Sequence, residues 1–382
     1  MESESTKEKN KRKKHRDISK DEGLMVRVVL ATFRHQGRPS YRSAREVAAE
    51  MGLSVPVVSA LRQKAFEKGM FSTLINLPQQ FQDIVRLEGA VKDTYGLKKV
   101  LLVPGLPDVL EELDPVRRRA VHTEVIRAMA GVVADHLDDL LAAAARDAAA
   151  ASGSQEGDPI VVGVAWGRTM HLIAVHLLST SRPMRFPALE VVPIVGITAV
   201  RNTEPIEANV IAMDIARAYG GVSEQLPSSA FVQTIDYDVV MQQKPIRQML
   251  RKLATCTVVI TSMGPIPESP DGAAEITLSS DPDMNARLFQ SARRDGAIAE
   301  ICYWLVDRNG AEVRSDYAAI GLGFNGLRTI AADRRRQVIL VTGGDRRRFE
   351  PLKAALRARL ASVLVSDTVT ARYLVGELAL AA

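Results

Sequence analysis

AREVAAEMGLSVPVVSALRQKA, residues 44–65, places two helical stretches around a glycine at the spacing of a helix-turn-helix. Ala48 stands where two helices cross closely and a larger side chain would hold them apart. Gly52 follows four residues later, where the chain turns sharply and a residue without Cβ takes positive φ most cheaply. Leu53 is an apolar plug, Ser54 an N-cap for the second helix, and Val58 and Leu61 return to the core at helical spacing. Ser54, Val55, Val57, Ser59, Ala60, Arg62, Gln63 and Lys64 then fall on or near a face that could enter a major groove of double-stranded DNA. The same spacing also suits a plain helical hairpin.

Outward from this stretch, residues 21–36 carry Leu24, Val28 and Ala31 on one side, which suits a first helix packed on the pair. Residues 1–20 read as a disordered tail whose basic run, KEKNKRKKHR at 7–16, is either solvated or adds salt-sensitive phosphate contacts. Met70 to Leu77 suits a short strand or wing edge, completing a DNA-binding domain over 21–77. Residues 78–96 read as a linker helix. Its seam of Phe81, Ile84, Leu87, Val91 and Tyr95, interrupted by Glu88, either packs on its own domain or pairs two chains.

From Leu97 the pattern changes to strands alternating with helices. Apolar runs fall at 99–104, 160–164, 189–195, 257–262, 301–306, 337–342 and 362–365, with helical stretches at 114–151, 168–180, 207–219, 283–294 and 347–360. Such alternation predicts an α/β domain over 97–382, built on a mostly parallel, doubly wound sheet covered on both faces. The chain's 382 residues, 46% hydrophobic and 25% charged with a formal charge of +5, suffice for two or three such domains. Cys256 and Cys302 are too few for a disulfide framework and lack metal-ligand spacing, so neither a metal nor a cofactor is expected. No apolar run reaches the length of a membrane span and no signal segment is evident, so a soluble, cytoplasmic protein is expected.

In sheets of this kind, ligands bind outside the carboxyl ends of the strands. The loop Gly163-Val164-Ala165-Trp166-Gly167-Arg168-Thr169 leads from a strand into a helix. There glycines allow close backbone approach, and Arg168 and Thr169 suit a phosphate or sugar oxygen. A mere tight turn would look similar. Thr342-Gly343-Gly344-Asp345-Arg346-Arg347-Arg348 offers an anion site if its arginines converge, and solvated charges if they do not. Ser262-Met263-Gly264-Pro265 and Ser366-Asp367-Thr368 end two further strands. No coherent catalytic set appears. None of the six histidines falls obviously at a strand end, His171 comes nearest, and Asp236 and Asp238 suit a surface loop as well as a carboxylate pair.

The order and spacing of these segments resemble the SorC/DeoR-type sugar-binding transcriptional regulators from about residue 24 onward. The resemblance rests on the helix-turn-helix, GLKKVLLVPG at 96–105, GVAWGRTM at 163–170 and VVPIVG at 191–196. It continues through IGLG at 320–323, VTGGDRR at 341–347 and VLVSDTVTAR at 363–372. It implies a winged-helix-like DNA-binding domain. It also implies an effector domain similar to ribose-phosphate isomerase and glucosamine-phosphate deaminase folds that senses rather than catalyses. Gly163, Trp166, Gly167, Arg168, Thr169, Gly264, Gly343, Gly344, Arg347 and Asp367 would line the effector site, with Thr370 completing the SD-x-x-T segment. Three departures stand out. Arg347 replaces the lysine such regulators commonly carry after the glycine pair, Glu300 stands where Gly-Asp is commoner, and Pro265 directly follows Gly264.

The leading expectation is therefore a DNA-binding regulator, dimeric or tetrameric, whose operator binding responds to a small polar effector. A sugar-phosphate isomerase- or deaminase-like enzyme and an architectural DNA-binding protein are the competing readings.

Overall fold

The computed structural model describes residues 22–35, 38–39, 42–70, 79–106, 114–152, 160–180, 185–198, 206–266, 279 and 281–378. The basic tail, and the strand expected after Met70, lie outside these residues. The chain divides into two units, Met1–Pro78 and Gln79–Ala382.

The first unit packs three helices, α1 (Glu22–Phe33), α2 (Ala44–Met51) and α3 (Val55–Glu67). Met25, Val28, Val47, Ala48, Val58, Leu61 and Ala65 form its core, so the close crossing at Ala48 is present. A capping box starts α2: the Ser43 hydroxyl accepts from the Glu46 amide, and the Glu46 carboxylate accepts from the Ser43 amide. Gly52 ends α2 at φ 65°, the left-handed conformation expected of it. A two-residue antiparallel ribbon, Arg34–His35 with Arg38–Pro39, lies between α1 and α2.

The second unit opens with α4 (Gln79–Tyr95). Leu87 and Val91 on its seam are buried in the core of this unit. Glu88 reaches back to accept the Leu102 amide at 2.9 Å, and the Tyr95 hydroxyl donates to the Leu374 carbonyl at 3.2 Å. The polar interruption thus satisfies an N–H on the edge strand of the sheet. Phe81 and Val85 stay exposed.

Seven parallel strands follow: β1 (Lys99–Val103), β2 (Ile160–Val164), β3 (Leu189–Pro193), β4 (Val222–Ser223), β5 (Val258–Thr261), β6 (Gln337–Val341) and β7 (Val363–Asp367). Their spatial order is β1-β7-β6-β5-β2-β3-β4. Runs such as IVVGV and VLVSD are buried at every position, as central parallel strands must be when helices cover both faces. The covering helices include α5 (Pro115–Ser152), α6 (Arg168–Ser179), α7 (Ala208–Tyr219), α8 (Lys244–Leu253), α9 (Pro282–Arg294), α10 (Gly323–Ala332), α11 (Phe349–Arg357) and α12 (Thr368–Leu374). Asp114 starts α5 by accepting the Val116 and Arg117 amides at 2.9 and 3.1 Å.

One expected strand is corrected. Ile301 to Val306 is not a member of the parallel sheet; it spans a hairpin of strands Ala297–Ile301 and Trp304–Asp307. Cys302 and Tyr303 turn it at φ 51° and 69°, and Ile301 pairs with Trp304 to close the turn. Two successive residues at positive φ make the tight hairpin turn that glycine or asparagine ordinarily serves. Here two buried side chains occupy it, at a conformational cost the surrounding packing must offset.

Candidate effector site

The strand order reverses between β2 and β5. From β2 the chain winds outward to β3 and β4, then returns and winds the other way through β5, β6 and β7. A crevice outside the carboxyl ends is expected at such a switch point. The loops after β2, β5 and β6 meet there.

After β2, Gly167 takes φ 108° and donates its N–H to the Ile206 carbonyl at 2.8 Å, placing Arg168 at the first turn of α6. Thr169 is buried. Trp166 stacks on Tyr303 with ring centroids 5.3 Å apart and planes 12° apart. Gly163 lies lower, within β2, where an added Cβ would stand 2.7 Å from Ile194 and 3.1 Å from the Cys256 sulfur. Its glycine serves strand packing rather than a ligand.

After β5, Gly264 pairs antiparallel with Glu300. A Cβ on Gly264 would come 2.7 Å from Glu300 Oε1, so the absent side chain is what admits the carboxylate. Glu300 is buried and accepts the Tyr303 amide at 3.1 Å, bracing the strained turn. Burial pushes its carboxyl up to about 7, although the Tyr303 amide and the Arg348 charge oppose the rise. Glu300 thus holds a buried carboxyl near neutrality between Gly264 and the Tyr303 turn.

After β6, the three arginines diverge. Arg347 folds back on Asp345, with Nη2 2.7 Å and Nε 3.1 Å from the carboxylate, so it braces its own loop. Arg348 is the arginine directed across the crevice, donating to the Met263 carbonyl. Its charge bears on Glu300, Asp345 and Arg168 alike. Asp345 is buried; against the effect of burial, its bonds to Arg347 and the Arg348 charge hold its carboxyl below the usual range. Gly344 sits at φ 68°, packed against Val125 and His122 of α5. Asp367 is committed internally: its carboxylate accepts from Gly344 N–H at 2.9 Å, Thr370 N–H at 2.9 Å and the Thr370 hydroxyl at 2.7 Å. It ties the ends of β6 and β7 together. A Cβ on Gly343 would come 2.3 Å from it, which explains the first glycine of the pair.

His122 was not among the expected site residues. It is buried on α5, with Nδ1 2.9 Å from the Gly343 carbonyl. Burial, then the charge of Arg348, drives its imidazole down to about 3, so it is neutral at physiological pH. Its place was legible in hindsight, since His122 shares the inner face of α5 with Val125 and Ile126. His171, the expected candidate, lies on α6 with a buried Nδ1 that has no hydrogen-bond partner among the described residues. The same holds for Thr342 Oγ1 and Arg348 Nε. Asp236 and Asp238 are exposed on short helical segments.

In the first unit, Ser54 occupies the N-cap position of α3 but makes no side-chain cap bond. Pro56 at the second helical position has no amide to offer it. Val55, Ser59, Ala60 and Gln63 are exposed along α3, with Gln63 donating to Glu67 at 3.0 Å. Val57 is half-buried against the core and Lys64 is half-buried. Arg62 departs from the expected reading face. Its Nε donates to the Thr32 hydroxyl at 2.8 Å and its Nη2 to the Arg42 carbonyl at 2.9 Å, so it clamps α3 to α1 and to the start of α2.

Residues 79–376 match the Sugar-bind family model, "Putative sugar-binding domain". A deoxyribonucleoside regulator of Bacillus subtilis is 24% identical over 343 residues, covering 88% of this chain and 93% of that protein. The full-length sorbitol operon regulator SorC of Klebsiella pneumoniae superposes with a TM-score of 0.59 at 17% identity, covering 93% of this chain and 99% of that one. A DeoR family transcriptional regulator from Listeria monocytogenes gives 0.55 at 18% identity, over 76% of this chain and 99% of that one. Among the described residues, no helix is long and apolar enough to cross a membrane. The chain belongs to the Sugar-bind family, that of the "Putative sugar-binding domain", over residues 79–376.

Proposed function

We propose that a sugar or phosphosugar-like effector binds the crevice at the switch point between β2 and β5 and changes the affinity of the first unit for operator DNA. The observation that carries this reading is the set of buried polar atoms lacking hydrogen-bond partners among the described residues. Thr342 Oγ1, Arg348 Nε and His171 Nδ1 all belong to the loops or first helical turn at the strand ends. Buried polar groups are otherwise almost always paired, so these atoms at the strand ends suit a polar ligand. Arg348 and Arg168 supply positive charge for an anionic group. The stacked Trp166 and Tyr303 rings supply an apolar platform for the C–H face of a sugar. Gly167, Thr169 and Gly264 shape the wall; Gly163, Arg347 and Asp367 support it from behind.

The exposed stripe of Val55, Ser59, Ala60 and Gln63, flanked by Ser54 and Lys64, reads the operator, and a dimer or tetramer engages paired half-sites. The effector acts by binding one state of the protein more tightly, and the reading involves no catalysis. A second reading, turnover of a sugar phosphate, draws on the Glu300 carboxyl near neutrality, the range that suits proton transfer. Incubating the full-length protein with sugar phosphates and following product by chromatography separates the two. Ligand-dependent stabilisation without product supports the sensor, and multiple turnovers overturn it.

A further inference from the structure

A second cavity, of about 600 Å³, lies between α8, α10 and the hairpin. That volume falls within the range of small-molecule sites, about 300–1,000 Å³. Tyr237, Trp304, Tyr317 and Phe324 contribute aromatic side chains to its lining. The wall that carries Tyr237 and Tyr317 is fixed. Thr234 donates its N–H to the Asp316 carbonyl and its hydroxyl to the Ser315 carbonyl, at 2.9 Å each. The strand before it, Phe231–Gln233, pairs with Tyr317–Ala319.

The lining is polar as well as aromatic. Trp304 is buried, yet its indole N–H has no acceptor among the described residues, and the Tyr237 and Tyr317 hydroxyls have no partner among them either. Glu312 and Arg314 also line the cavity, two residues apart at the outer edge of the hairpin sheet. Both are exposed, and neither makes an ion pair with the other or with any other described residue. The Glu312 charge reaches the aromatic wall: after burial, the charges of Asp238 and Glu312 raise the Tyr237 hydroxyl. Aromatic rings suit a planar apolar group, a carboxylate without a partner suits a cation, and a guanidinium without one suits a carboxylate. A zwitterion with an aromatic side chain carries all three.

We propose that this cavity is a second ligand site, for a free aromatic amino acid: the ring sits among Tyr237, Trp304 and Phe324, the ammonium meets Glu312, and the carboxylate meets Arg314. The inference concerns this cavity alone and does not depend on what the strand-end crevice binds. Tyr303 lines the cavity and also stacks on Trp166 at the crevice. Each of the two tryptophans of the chain therefore stands at the cavity or one ring away from it.

Tryptophan fluorescence of the full-length protein tests it, titrated with L-phenylalanine, phenethylamine, phenylpropionate and alanine, none of which absorbs where tryptophan is excited. Phenylalanine should give a saturable change, and alanine, which lacks the ring, none. Phenethylamine lacks the carboxylate and phenylpropionate the ammonium. Each should bind about fivefold more weakly than phenylalanine, the upper value of one exposed ion pair. E312Q should bring phenylalanine to the affinity of phenylpropionate, and R314Q to that of phenethylamine. Both variants should melt like the wild type, because these positions are exposed. Arg348→Met should bind phenylalanine like the wild type, which separates this cavity from the crevice. No saturable change with phenylalanine, analogues that bind equally well, wild-type affinity in E312Q or R314Q, or lost binding in Arg348→Met would each overturn the proposal.

Discussion

His122 Nδ1 lies 2.9 Å from the carbonyl oxygen of Gly343, so the imidazole must be the donor and its Nε2 keeps the lone pair. This fixes the tautomer of His122 and leaves Nε2 as an acceptor. His122→Leu keeps most of the packing and removes both functions. It should cost about 1–2 kcal/mol of stability in urea unfolding and abolish effector-dependent stabilisation. An unchanged effector response would remove His122 from the site.

The pH dependence of stability should carry the signature of Glu300. Its folded pKa of about 7 is raised by burial above the ordinary carboxylate value of 4.5. The protonated form is therefore favoured by folding, and this contribution is lost as pH rises from 4.5 through 7. His122 works in the opposite sense. Driven down to about 3, its contribution is present above 6.5 and lost as pH falls toward 3. Glu300→Gln removes only the first effect. The melting temperature of the variant relative to wild type should therefore climb between pH 5 and pH 8. A difference that stays flat across that range contradicts the assignment.

Gly264→Ala places a methyl group 2.7 Å from Glu300 Oε1 in a buried position. The carboxylate must move, and with it the acceptor that braces the Tyr303 turn. We expect a loss of about 1–3 kcal/mol and weakened stacking of Trp166 on Tyr303, seen as a change in tryptophan fluorescence. Pairing it with Glu300→Ala should recover much of the stability. No recovery would mean the clash lies elsewhere.

Arg62→Ala should act on folding before it acts on DNA. Losing its bonds to Thr32 and the Arg42 carbonyl is expected to destabilise the first unit by about 1–3 kcal/mol. Gln63→Ala, on an exposed position, should weaken operator binding with no change in melting temperature. An Arg62→Ala protein that melts like wild type yet fails to bind DNA would return Arg62 to the reading face.

Much of the fold was legible because its determinants are local. The strands announce themselves as buried runs of Val and Ile, and the packed helical pair of the first unit through Ala48 and Gly52. The hairpin at 297–307 was hidden because Cys302-Tyr303 gives no turn signal. Only tertiary packing holds those residues at positive φ, and an unbroken apolar run reads as one strand. The site was legible as loops but not as orientations. Nothing in RRR tells that Arg347 turns back on Asp345 while Arg348 crosses to Met263; the tight turn after Asp345 decides it. Asp367 was expected to line the site, whereas its carboxylate joins two loops. His122 lies some 220 residues from its partner Gly343, a pairing that only the parallel sheet brings about.

Under the proposed function, ligand binding at Arg348 and its neighbours changes operator affinity. It is tested by fluorescence anisotropy of the full-length protein on DNA from upstream of its own gene, titrated with free sugars, sugar phosphates and deoxyribonucleosides. One of these classes is expected to shift the DNA dissociation constant by about 5- to 150-fold, the usual range of coupling between sites. Arg348→Met should erase the shift while leaving ligand-free DNA binding intact. An operator affinity indifferent to every compound, or an Arg348→Met protein that responds like wild type, would contradict it.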